Sequence, residues 1–365
     1  MSKFVLLAGG TGGHLFPAMA LAQELRRNGH EIYLMSDGRV DEFGKRFPAK
    51  EIIAIPSATP SIANPIKFIK AGFTILGGVF IAYKKLKKIK PDVVVGFGGY
   101  PIFPSFLAAS LLRIPGVLHE QNAVLGRANR ALARFAKALA LSFEVTSFAD
   151  KISIDQYVTG NPVRDRVVQV AKTISYSKIN DNDKIRLLIF GGSQGARVFS
   201  DIVPTAVATL PDDLRKRLQI TQQCRPEDLE RVANAYREAK VNVELAAFFN
   251  DLPERMAQSH LVISRSGASS VAELTVLGVP AILIPLPGSL DGDQANNAAF
   301  LEASGGGWLV EQASISPLSL GTQLKEMLSE PEMLYEAAQK AKSLGQPKAV
   351  EKLADVAIKY IKPAK

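Results

Sequence analysis

The 365-residue sequence contains a single cysteine, Cys224. A disulfide framework within the chain is therefore excluded, a cysteine-based zinc site is not expected, and a reducing, cytoplasmic setting is the simplest expectation. Histidine is also scarce, at four residues, so each can be weighed singly. Long apolar runs are missing: no stretch reaches the roughly 20 apolar residues of a membrane-crossing helix. The opening MSKFVLLAGG passes from a short polar start into an apolar run and glycines. It lacks the long apolar region and the small-residue cleavage site of a signal peptide.

What is present reads as a folded, two-domain chain. Hydrophobic residues make up 47% and charged residues 22%, the balance of a globular protein. The length exceeds one ordinary core and fits two domains. The net charge of +9 is unevenly placed. Residues 1–163 hold 20 Lys/Arg against 11 Asp/Glu, whereas residues 164–365 hold 24 of each. A basic domain beside a neutral one points to an anionic partner: nucleic acid, a phospholipid surface or a phosphorylated substrate. The plain alternative is a solvated surface that happens to be basic.

Both halves repeat one α/β plan. FVLLA (4–8) runs into a glycine loop, an amphipathic segment from Pro17 to Arg27 follows, and EIYLMS (31–36) reads as the next strand. That order, strand, glycine turn, helix, strand, opens a doubly wound sheet. DVVVGFGG (92–99) and GVLHEQN (116–122) repeat the pattern. The second half restarts at IRLLIFGGSQGA (185–196), continues through LQITQQ (218–223) and VNVELAAF (241–248), and reaches HLVISRSGASSVAEL (260–274) and VPAILIPLP (279–287). The polar stretch 172–184 separates the two. From about Ser316 the sequence is helical in composition, with Pro331 and Pro347 as breaks.

The glycine loops carry the chemistry. Gly9-Gly10-Thr11-Gly12-Gly13-His14 joins a strand to a helix, where backbone N–H groups can approach an anion closely. It departs from the dinucleotide fingerprint, since no acidic residue ends the second strand (Asp37 only follows it), and it lacks the GK[ST] ending of a P-loop. Gly191-Gly192-Ser193-Gln194-Gly195-Ala196 and Ser266-Gly267-Ala268-Ser269-Ser270 are two further junctions of this kind. Two in one half suggest a bound diphosphate, with Glu273 placed for ribose hydroxyls. A helix-capping role is the alternative for Glu273. His30 and His260 read as structural. His14, at a glycine-loop helix start, can serve as a neutral general base.

GGTGGH (9–14), GFGGY (96–100), HEQN (119–122), GNPVR (160–164), GGSQGA (191–196), SRSGASSVAE (264–273) and DGDQANNA (291–298) follow one another over nearly the whole chain. Each is weak alone; together they closely resemble the MurG family of bacterial glycosyltransferases, which build lipid II of the peptidoglycan pathway. The resemblance implies a GT-B fold, two Rossmann-like domains facing across a cleft: 1–163 for the acceptor and membrane, 164–347 for the UDP-sugar, and a helix at about 348–365 packed back on the first. It implies inverting transfer of N-acetylglucosamine from UDP-N-acetylglucosamine to the C4 hydroxyl of the muramyl sugar in lipid I. No cofactor or metal is implied, and no Asp-x-Asp motif stands in a suitable place.

Position by position, the resemblance makes His14 the base and has Thr11, Gly12 and Gly13 face the donor. Asn122 and Arg164 match donor contacts, Ser193 the diphosphate contact, and Phe249 the position flanking the uracil. Ala268, Ser269, Ser270, Val271, Ala272 and Glu273 match the phosphate and ribose segment, and Gln294 a sugar-hydroxyl contact. His119 and Glu120 stay open as assistants. Implied partners are UDP-N-acetylglucosamine, lipid I, an anionic membrane surface and cell-wall or division proteins, with no nucleic acid; the implied location is peripheral, on the cytoplasmic face of the cell membrane. Ala71 to Tyr83 is 13 uncharged residues, with Lys67 and Lys70 before it and Lys84, Lys85, Lys87, Lys88 and Lys90 after it. Such a run suits an interfacial helix, although a buried core helix is an alternative. Rival readings are a UDP-N-acetylglucosamine 2-epimerase, a natural-product glycosyltransferase, or a non-catalytic sensor or scaffold.

Overall fold

A computed structural model describes residues 1–10, 12–38, 47–59, 65–192 and 195–361. The chain divides into two compact units, Met1–Arg164 with Gln346–Lys365, and Asp165–Gly345.

The first unit holds seven parallel strands: β1 (Lys3–Leu7), β2 (Glu31–Ser36), β3 (Glu51–Ala54), β4 (Val93–Gly96), β5 (Gly116–Glu120), β6 (Ala138–Leu141) and β7 (Asp155–Val158). Their order is β3-β2-β1-β4-β5-β6-β7, so the sheet winds outward in both directions from the β1/β4 pair. Ligands of open α/β sheets bind at such a switch point, beyond the carboxyl ends of the strands. The central strands read as continuous apolar runs because both faces are covered: Phe4 and Leu6 pack toward one core layer, Val5 and Leu7 toward the other. The C-terminal helix Ala349–Lys359 joins this unit, packing against the Gly12–Arg27 helix. Tyr360 hydroxyl donates to Asp155 Oδ2 at 2.5 Å.

The second unit holds β8 (Ile185–Phe190), β9 (Leu218–Gln223), β10 (Asn242–Ala246), β11 (Leu261–Ser264), β12 (Ala281–Leu283) and β13 (Gly307–Leu309). All are parallel, in the order β10-β9-β8-β11-β12-β13. Its switch point lies between β8 and β11.

Two expectations shift and one holds. The first helix begins at Gly12, not Pro17, and carries Pro17 inside it; as the sixth helical residue Pro17 leaves the Gly13 carbonyl without its i→i−4 donor. Pro331 and Pro347 do mark breaks: the helix Pro317–Ser329 stops just before Pro331, which opens Pro331–Ser343 because its fixed φ suits a first helical position, and Pro347 lies between that helix and Ala349–Lys359. The apolar run becomes a 25-residue helix, Pro65–Ile89. The flanking lysines are good helix formers and extend it. By length and apolarity alone it could cross a bilayer, yet Ala71, Gly78, Ala82, Leu86 and Ile89 form a buried edge along it.

Candidate active site

At the first switch point the loop after β1 meets the loop after β4. Gly98 and Gly99 have φ of +77° and +74°, a region open to glycine and strained for side chains. They let the backbone pass close to His14: a Cβ on Gly99 would lie 3.1 Å from His14 Nε2. His14 is the third residue of the Gly12–Arg27 helix and is half-buried. Gly13 is exposed, with open space around it, and Gly12 packs against Phe16. Asp37, just past β2, accepts from the Gly10 N–H at 3.3 Å. It therefore braces the glycine loop instead of waiting for a ribose. Thr11 lies outside the described residues.

The end of β5 supplies a polar network. His14 Nδ1 is 3.3 Å from Gln121 Oε1. Gln121 Nε2 is 3.0 Å from His119 Nδ1, and His119 Nε2 is 3.2 Å from the Gly160 carbonyl. Burial holds the His119 imidazole down to about 4, so it is neutral at physiological pH. Glu120 is buried, and its carboxylate accepts from the N–H groups of Asn122 (3.1 Å) and Gly126 (2.9 Å) and from the side-chain amides of Asn122 (3.2 Å) and Asn129 (2.8 Å). Burial raises its pKa, and these four donors oppose the rise. Glu120 thus shapes the loop after β5. Asn122 is half-buried on this loop, and the Arg164 guanidinium lies over the Phe16 ring at 5.5 Å, beside the His14 helix.

At the second switch point the loop after β8 turns back so tightly that a Cβ on Gly191 would lie 2.2 Å from Ala196 N. Gln223, ending β9, staples it. Its Oε1 accepts from Gly191 N–H at 3.0 Å, and its Nε2 donates to the carbonyls of Gly192 (3.0 Å) and Ala247 (3.2 Å). Ser193 and Gln194 lie outside the described residues.

After β11 the chain enters the Ala268–Leu277 helix from Gly267, with no side-chain cap. Its first turn therefore keeps N–H groups aimed outward. Among the described residues, Ser266 Oγ and Ser269 Oγ are buried without a hydrogen-bond partner, and an uncapped helix start of this kind suits an anion. Ser270 and Ala272 are half-buried, and Ala268, Val271 and Glu273 are buried. Glu273 is the sixth helical residue, beyond the first turn, so it is not a cap. Arg265 fixes the neighbouring strand end, donating to the carbonyls of Ile284 (3.0 Å) and Pro285 (2.9 Å). Gln294 Oε1 accepts from Leu286 N–H at 2.9 Å. Phe249 is buried with the Arg255 guanidinium 4.4 Å from its centroid, whereas Phe248 is the exposed ring of the pair.

Gln121 and Arg265 stand inside the HEQN and SRSGASSVAE motifs, which give them no evident task, and Gln223 reads in the sequence as a plain strand residue. Polar residues closing an apolar strand were the available signal for Gln121 and Gln223.

Two parallel α/β units, each with a glycine-bent loop at its switch point, make the twin-sheet frame of GT-B glycosyltransferases, and the family models place the chain in that class. Residues 4–141 match the glycosyltransferase family 28 N-terminal domain, and residues 186–353 its C-terminal domain. A curated relative from Methylobacterium radiotolerans is 50% identical over 97% of this chain and 96% of its own length. One from Brucella abortus is 48% identical over 97% and 93%. Both are named UDP-N-acetylglucosamine–N-acetylmuramyl-(pentapeptide) pyrophosphoryl-undecaprenol N-acetylglucosamine transferase. The crystal structure of Acinetobacter baumannii MurG superposes with a TM-score of 0.79 at 31% identity, over 98% of this chain and 99% of that one. A Neisseria meningitidis UDP-GlcNAc 2-epimerase shares the fold at 18% identity and a TM-score of 0.67. The chain belongs to the MurG family, and its fold class is GT-B.

Proposed function

We propose that the chain transfers N-acetylglucosamine from UDP-N-acetylglucosamine to the C4 hydroxyl of the muramyl sugar of lipid I, with inversion, forming lipid II. Near-full-length identity of 50% to a transferase of that name carries this reading. The reaction needs a base for the acceptor hydroxyl, stabilisation of the leaving UDP, and alignment of the two substrates. His14 is the base: its Nε2 stands at the first switch point, against the glycine-bent chain at Gly99. A positioned base contributes roughly 10²–10⁴ in rate.

In this reading the second unit holds the donor. The N–H groups and buried hydroxyls at Ser266–Ser270 stabilise the developing charge on the diphosphate, with Ser193 adding a hydroxyl. Glu273 accepts from the ribose, Gln294 faces a sugar hydroxyl, and Phe249 flanks the uracil. Asn122 and Arg164, with Thr11, Gly12 and Gly13, are the residues before Asp165 that this reading assigns to the donor. Incubation with UDP-N-acetylglucosamine and a lipid I analogue tests the reading. Release of UDP matched by a disaccharide product supports it; donor consumption that needs no acceptor contradicts it.

The first unit also docks on the cytoplasmic face of an anionic membrane. Ile66, Ile69, Phe73, Leu76 and Phe80 recur every three or four residues along the Pro65–Ile89 helix, and all are exposed. Lys84 lies over the Phe80 ring at 4.2 Å and continues the stripe. Apolar side chains can enter the interface while lysines stay at the headgroups, each adding about 1 kcal/mol near an anionic surface. Changing Lys84, Lys85, Lys87 and Lys88 to Gln then weakens co-sedimentation with anionic vesicles. Equal binding by both proteins contradicts the proposal.

A further inference from the structure

Three side chains and one carbonyl form a single line of hydrogen bonds running away from the base: His14, Gln121, His119 and Gly160. Each link has only one consistent direction, and the directions can be read from the buried end. The Gly160 carbonyl can only accept, so His119 Nε2 carries a hydrogen. Burial keeps His119 neutral, which leaves His119 Nδ1 bare. Gln121 Nε2 faces that bare nitrogen at 3.0 Å and also the His119 carbonyl at 3.2 Å. Two acceptors on one side settle the amide orientation, since an amide oxygen there would meet both lone pairs. Gln121 Oε1 must therefore face His14, and it can only accept. The hydrogen between them belongs to His14 Nδ1.

We infer that Gln121 and His119 are positioning residues that lock His14 as its Nδ1–H tautomer, so that Nε2 keeps the lone pair that takes the acceptor proton. The inference rests on the reading of His14 as the base. In water a neutral imidazole favours the opposite, Nε2–H form, which would present a hydrogen where a lone pair is required. Selecting the tautomer through the other ring nitrogen is a general device of histidine sites. The lock is also rigid. Gln121 and His119 are buried, and Gly160 holds φ of +83° against the start of the C-terminal segment at Gln346. Glu120, one residue along, fastens the loop that follows and does not enter the line.

The test is nitrogen-15 NMR of the histidine rings in the full chain, at a pH where His14 is neutral. His14 is assigned from the His14→Ala spectrum, whose turnover is also measured. The wild type is expected to show His14 protonated at Nδ1. Gln121→Leu is expected to shift His14 toward the Nε2–H form, and to lower kcat at least about 10-fold, a part of what a general base contributes, while the KM for UDP-N-acetylglucosamine holds. His119→Phe, which removes the acceptor that orients Gln121, is expected to move the tautomer the same way. A wild-type His14 protonated at Nε2 overturns the lock, and so does a Gln121→Leu protein that keeps both tautomer and kcat. Normal turnover by His14→Ala would instead overturn the reading of His14 as base, leaving the tautomer measurement to decide the lock separately.

Discussion

Each unit buries one neutral histidine next to its sheet, and the two do different work. His119 in the first unit and His260 in the second are both held near 4, chiefly by burial. His260 lies before β11, and both ring nitrogens face Arg186: the backbone N–H at 3.0 Å and a guanidinium nitrogen at 2.9 Å. It stitches the starts of β8 and β11 together at the centre of the sheet. His119 faces an amide and a carbonyl, and its line of bonds ends on a half-buried histidine at a switch point. The difference lies in where the network leads, not in the depth or charge of the imidazole. The switch points divide in the same way. The first presents an imidazole, and the second presents N–H groups and hydroxyls.

The largest effect that could break this division is the loss of the proposed base. His14→Ala should lower kcat by about 10²–10⁴ while UDP affinity, followed by calorimetry, stays near that of the wild type. A comparable loss of UDP affinity would place His14 in donor binding instead. Next comes Glu273→Ala, which should cost about 1.5–3 kcal/mol of donor binding as a charged hydrogen-bond partner is lost. Unchanged UDP affinity would leave Glu273 with a purely structural part.

The histidine comparison also sets a pH dependence. An unfolded histidine titrates near 6.5, and the folded values here are about 4. Between those values the unfolded chain binds more protons, so stability is complete above about 6.5 and falls as the pH drops toward 4. Both units carry such a group, so thermal transitions of both should move down across that window. A melting profile flat from pH 6.5 to 4 would contradict neutral burial.

The smallest effect is a contrast between adjacent glycines. A Cβ on Gly78 would lie 2.1 Å from the Pro56 carbonyl, whereas one on Gly77 meets nothing within 4 Å. Gly78→Ala should destabilise the chain by about 1–3 kcal/mol through overpacking. Gly77→Ala should gain up to ~1 kcal/mol of helix propensity. Equal melting temperatures for the two would mean that the helix edge at Gly78 is not packed.

The alternating plan was legible in the sequence because nine strands lie within largely apolar runs that end in glycine or polar residues. β3, β6, β7 and β13 were not: EIIA, ALAL, DQYV and GWL do not sit in long apolar runs, and all four lie at or beside a sheet edge. Motif spacing brought out the loops that carry His14 and the Ala268 helix. It could not bring out Gln121 as a link, because that depends on two residues 107 positions apart meeting at one atom pair. Nor could it separate Phe248 from Phe249, as neighbours on an irregular segment have no periodicity to sort them. Glu273 was ambiguous for a similar reason: a cap and a second-turn carboxylate differ only by where the helix begins.

The division of labour is tested most directly by single-turnover rates of His14→Ala and Glu273→Ala at saturating UDP-N-acetylglucosamine with a lipid I analogue. The account predicts that saturation returns Glu273→Ala to within a few-fold of the wild type and leaves His14→Ala slow. A His14→Ala protein restored by donor, or a Glu273→Ala protein that stays slow at every donor concentration, would contradict it.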